Sequence, residues 1–144
     1  MIRPVFFVLL LVTLGLSSFA KEPITPNPGS SLRKEILNAI RDPFEDHIHQ
    51  EVVFVVQHLK VQDDWAFLMA EARTKEGAKI DYSGTSLEFG TTEFDEGVIA
   101  VLRFKRDRWY VVQSSFFASD VWWAGAHEEL KAPKAIFPLG TGED

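Results

Sequence analysis

From Leu32 the apolar positions fall into a repeat of four. Leu32, Ile36, Ile40 and Phe44 share one stripe with Leu37 beside it, the signature of an amphipathic helix facing a core. Ser30 or Ser31 supplies the N-cap. Pro43 interrupts the stripe, and Asp42-Pro43-Phe44-Glu45 reads as a fresh helix start, with Asp42 as cap and Glu45 closing a capping box. A kink or a second short helix is expected there. Val52 to Val61 is then dense in β-branched and aromatic residues and predicts a strand. Asp63-Asp64 makes a turn, and Trp65 to Ala72 returns as its hairpin partner. Lys75 to Thr92 is polar, with glycines at 77, 84 and 90, and reads as loops with a short strand at Ile80 to Tyr82. Gly97 to Lys105 and Arg108 to Phe117 form a second hairpin about Arg106-Asp107. Ser119 or Asp120 caps a short helix over Val121 to Lys131, which Pro133 ends, and Ile136-Phe137-Pro138 follows as an apolar clasp.

Helix, antiparallel meander and terminal helix in that order predict an α+β domain: an N-terminal helix on a curved antiparallel sheet of about four to five strands, with a short C-terminal helix. The expected core contains Leu37 and Ile40, alternate residues of Val52 to Val61, and Val98, Ala100, Leu102 and Phe104. The tail is expected to dock through Val121, one tryptophan and Leu130, and with Ile136 and Phe137 to close one end of the sheet.

The two hairpins carry a resemblance. Leu59-Lys60-Val61-Gln62-Asp63-Asp64-Trp65-Ala66-Phe67 and Arg108-Trp109-Tyr110-Val111-Val112 resemble the acidic-turn hairpin and the last long strand of the nuclear-transport-factor-two-like and cystatin-like superfamily. The resemblance implies a helix packed into the concave face of a curved sheet. It selects no activity, because that superfamily hosts enzymes, binding modules and assembly domains. The single main helix departs from the larger members, so a deep closed pocket is not implied.

The first twenty residues change the picture of location. Arg3 gives a positive start, Val5 to Leu16 is an apolar run of 12 residues, and Ser18 and Ala20 stand three and one before the Ala20–Lys21 bond. That is a signal-peptide pattern, and the run is short of the roughly 20 residues a bilayer span needs. The expected organisation is a signal peptide over 1–20, a flexible leader over 21–31 and one domain over 32–144. The product is expected in a periplasm or outside the cell, with no membrane anchor after cleavage. It would carry 14 basic against 21 acidic side chains, a net charge of −7, which argues against a nucleic-acid partner. The chain has no cysteine, excluding disulfides, thiolate-bound zinc and thiol nucleophiles.

Candidate chemistry is sparse. His47 and His49 would share a face on a strand, with His58 and His127 to complete a set, but no motif surrounds them and no metal or cofactor is expected. Ser114, Ser115 and Ser119 lie in no nucleophile elbow. Asp63-Asp64 is a turn, and Glu93, Asp95 and Glu96 read as surface. Asp81 or Asp120, if buried, would suit a general base. The aromatic residues carry the strongest signal: Trp65 and Trp109 each open the return strand of a hairpin, Phe116 ends the last strand, and Trp122-Trp123 stand together in the tail. The tryptophans either cover the sheet ends or line an apolar groove or contact surface. Of the tail pair, one is expected to close the core while the other meets solvent or a partner. Trp65, Trp109, Phe116, Trp122 and Trp123 are therefore the candidate binding residues, with no catalytic residue assigned. The expected function is a small exported binding protein for an apolar molecule or a protein partner. The alternatives are an isomerase- or dehydratase-like pocket enzyme with an Asp or Glu base, and an acidic inhibitor of the immunity-protein kind.

Overall fold

The computed structural model describes residues 21–87, 97–117 and 121–138. Ser30 caps the first helix, its Oγ accepting the Arg33 N–H at 3.3 Å, and α1 runs over Ser31–Ile48. Pro43 lies within that single helix, so the expected second start at Asp42 is corrected. Proline removes one helical hydrogen bond. Ile40 and Phe44, on either side of it, are both fully buried and hold the two halves on one face. Glu45 closes no capping box; its carboxylate accepts the Val52 N–H at 2.8 Å instead. The helix ends where His49 turns left-handed, with φ 56°, and returns its N–H to the Glu45 carbonyl.

Four strands follow, β1 (Val53–Gln62), β2 (Trp65–Arg73), β3 (Gly97–Lys105) and β4 (Arg108–Phe116), in one antiparallel sheet with the spatial order of the sequence. Each hairpin turns on two residues. Arg106 and Asp107 both take positive φ, the twist that suits a tight hairpin, and Asp63 does so in the first. β1 carries a bulge between Val56 and His58, and the β3–β4 register shifts between Val101 and Leu102. The described sheet has four strands. The expected strand at Ile80 to Tyr82 is absent from it: Arg73 and Lys79 make one bridge, and Ile80 and Tyr82 pack into the core without strand pairing.

The two central strands are buried on both faces, which explains why they read as nearly continuous apolar runs. On one face Ala66, Leu68, Ala70 and Ala72 of β2 and Val98, Ala100 and Leu102 of β3 meet Ile36, Ile40, Phe44 and Ile48. The alanines keep that face low and give the helix room. Leu37 is only half-buried, beside the true stripe. Phe104, expected in the core, is 36% exposed and is corrected: it continues the inward face of β3 past the point where α1 covers it.

The opposite face is covered by the tail. Trp65, Phe67, Ile99 and Val101 pack with Ala126, Ala132, Ile136 and Phe137. The Phe67 and Phe137 rings are 4.8 Å apart, and His58 Nε2–H donates to the Ile136 carbonyl at 2.8 Å. The single tail helix expected over 121–131 is instead a 3₁₀ turn at Trp122–Ala124 followed by α2 (Ala126–Leu130), with a further 3₁₀ turn at Lys134–Ile136. Gly125 stands between the first two pieces, and glycine is a poor helix interior. Val121 is 60% exposed and stands outside the described tail cluster, contrary to expectation.

Candidate functional site

The leader is tied down before it reaches the helix. Ile24 bridges Val61 through paired backbone hydrogen bonds of 2.8 and 2.9 Å along the outer edge of β1. Gln62 Nε2 donates to the Lys21 carbonyl at 2.6 Å, and Arg33 Nη1 donates to the Pro26 carbonyl at 3.2 Å. Between this strap, the first turns of α1, the β1–β2 turn and the β3–β4 ends lies a cleft of about 700 Å³.

Its apolar lining is Ile24, Leu32, Val61, Phe104 and Trp109. Val61 and Trp109 are buried, whereas Leu32 and Phe104 are partly open to solvent. Phe104 and Trp109 face each other across the β3–β4 pair with ring centroids 5.4 Å apart. The polar lining includes Lys21, Glu22, Glu35, Asp63 and Asp64. Asp64 is committed elsewhere: its carbonyl accepts the Phe104 N–H at 2.7 Å, and its carboxylate lies 3.4 Å from Arg103, whose guanidinium stacks over Trp65.

Two buried polar atoms stand out here. Trp109 is 7% exposed, yet among the described residues its indole Nε1 has no hydrogen-bond partner, and neither does Oε1 of Gln62. Buried donors and acceptors are nearly always paired, because leaving one unmade costs about 1–3 kcal/mol. Trp109 also lines a shallower cleft of about 450 Å³ with Glu35, Asn38, Asp42 and Tyr110. Trp109 and Glu35 are thus common to both depressions.

The structure scatters the other candidate residues. Trp65 lies on the tail-covered face beneath Arg103. Phe116 sits far along the sheet, 4.9 Å from Phe44 and 5.8 Å from His47 between ring centroids. Trp122 and Trp123 are both half-buried in the tail cluster, so the expected division into one core and one solvent tryptophan is corrected. They sit on a 3₁₀ turn where Trp122 Nε1 donates to Ser115 Oγ at 2.6 Å and Trp123 lies 6.0 Å from Phe67. Only Trp109 of the five lines the cleft. Sequence reading missed Leu32, Val61 and Phe104 as site residues because their alternation reads as core. It missed Ile24 because a Pro-rich leader hides a single bridging residue.

The remaining chemistry is dispersed too. His47 and His49 lie at the end of α1 and on its cap, not on a strand; His47 Nδ1 is 3.1 Å from Ser86 Oγ. Among the described residues no three His, Asp or Glu side chains gather as metal ligands. Asp81, considered as a buried base, is exposed and belongs to neither cleft. The Ser83 hydroxyl and backbone N–H donate to its carboxylate and hold it below the usual carboxylate range. Glu93, Asp95, Glu96, Ser119, Asp120 and the segment 1–20 lie outside the described residues. No described helix is long and apolar enough to cross a membrane. In comparisons with known proteins, no family model, no curated protein and no solved structure matches this chain.

Proposed function

We propose that the chain is a small exported binding protein and that the cleft under the leader strap is its ligand site. The single observation that carries this reading is the apolar cleft with Trp109 in its wall, a residue whose buried indole N–H has no partner among the described residues. A closed core would have no use for a buried donor without an acceptor, whereas a ligand oxygen or nitrogen supplies one. The size favours a small molecule, since such sites run about 300–1,000 Å³ and are mostly apolar with few polar groups. The register shifts in β1 and β3–β4 suit a curved sheet, because bulges increase strand bend and twist. Export rests on the charged start, apolar run and small-residue cleavage site of residues 1–20.

The test is calorimetric titration of the exported protein with an uncharged aryl ether and with its hydrocarbon analogue. The ether is expected to bind several-fold tighter than the hydrocarbon. In Trp109→Phe that advantage disappears while the melting temperature shows the variant folded. Equal binding of both probes to the native protein and to the variant overturns the assignment of the Trp109 donor.

A further inference from the structure

Resting on that reading of the cleft, we infer that its ligand is a small amphipathic cation: an apolar body that carries a hydrogen-bond acceptor and an ammonium group. The body follows from Leu32, Val61, Phe104 and Trp109, which present carbon surface at the base. The acceptor follows from Trp109, whose indole N–H can only donate. The charge follows from the polar lining. Glu22, Glu35 and Asp63 have no cationic partner among the described residues, while Asp64 is held by Arg103. Among the described residues, Lys21 is the only basic one lining the cleft. Acids outnumber bases there even when the α-amine of a chain processed at Lys21 is counted.

Carboxylates clustered beside an apolar base raise the local concentration of cations and repel anions. Each exposed ion pair is worth little, yet several acting on one ammonium add up to about tenfold in affinity at low salt. An apolar cleft without charge bias would show no such ranking. A volume of about 700 Å³ lies within the range of small-molecule sites, and the inference commits to such a ligand.

The experiment uses three probes sharing one methoxynaphthyl body, which end in an ethylamine, an ethyl alcohol or an acetate. Each is titrated into the exported protein by calorimetry at low and high salt. The amine is expected to bind about tenfold tighter than the alcohol and the acetate weakest, with the spread narrowing at high salt. Glu35→Gln, a change at an exposed position, should cut the amine's advantage over the alcohol about threefold. Equal affinities, or the acetate binding best, overturn the cation inference and leave the cleft a binding site. Binding of none of the three overturns the binding reading as well. An apolar basic peptide that outcompetes the amine overturns the commitment to a small molecule.

Discussion

At the C-terminal end of α1, Phe44 meets Phe54 and Phe116 at ring-centroid distances of 6.0 and 4.9 Å, and Tyr82 meets Phe117 at 4.9 Å. At its N-terminal end, Leu32 stands beside a cleft walled by Val61, Phe104 and Trp109, with one bridging residue of the leader across it. Both ends use aromatic residues on the inward face of the same sheet. One end is filled because a loop, carrying Ile80 and Tyr82, comes back to cover it. The other has only the narrow strap of the leader. A helix–sheet sandwich therefore needs more than its two layers to close: each open end must be covered by a further segment, and where that segment is thin, a site remains.

This contrast can be broken in graded steps. Phe44→Ala empties a fully buried position at the closed end, and about 3–5 kcal/mol of stability is expected to disappear in denaturant unfolding. A loss below about 1 kcal/mol would mean that the end is not sealed by that ring. Ile136→Ala probes the tail-covered face, where the residue is likewise fully buried; about 2–5 kcal/mol is expected, together with new binding of a hydrophobic dye. Unchanged unfolding there would show the tail to be a free appendage. Phe104→Ala, at the open end and 36% exposed, should cost only about 1 kcal/mol yet weaken the uncharged aryl ether several-fold. Stability falling as far as in Phe44→Ala, with the ether's affinity unchanged, would make Phe104 a core residue after all.

The smallest effect concerns the loop that covers the closed end. Asp81 is held below the usual carboxylate range first by the Ser83 hydroxyl and then by the Ser83 N–H, both of which favour the ionised form. Its folded pKa is below its unfolded one, so its contribution to stability is present at neutral pH and is lost as pH falls through the lowered value. In an NMR pH titration, Ser83→Ala should raise the Asp81 midpoint towards the ordinary range. An unmoved midpoint would remove the hydroxyl from that account.

Much of the frame was legible from local pattern. Repeats of four placed Ile36, Ile40 and Phe44, and the paired turn residues at 63–64 and 106–107 fixed both hairpins to within a residue or two. What local pattern could not supply was coverage. Phe104 continues the apolar alternation of Val98, Ala100 and Leu102, but whether it is buried depends on where α1 begins, a question of three-dimensional reach. Pro43 reads as a helix breaker, yet burial of its neighbours outweighs one lost hydrogen bond. Trp122 and Trp123 read as a helical pair whose side chains diverge, whereas the 3₁₀ turn leaves both half-buried. Trp109 is a candidate by residue type, while its significance lies in a missing hydrogen bond that no sequence displays.

The most direct measurement follows the four tryptophan indole N–H signals in a proton–nitrogen correlation spectrum while the uncharged aryl ether is added. Trp109→Phe assigns the relevant signal. The account predicts that the Trp109 signal moves as its N–H acquires an acceptor, with Trp65, Trp122 and Trp123 nearly stationary. Movement of the Trp122 and Trp123 signals with Trp109 unmoved would contradict it and place binding on the tail.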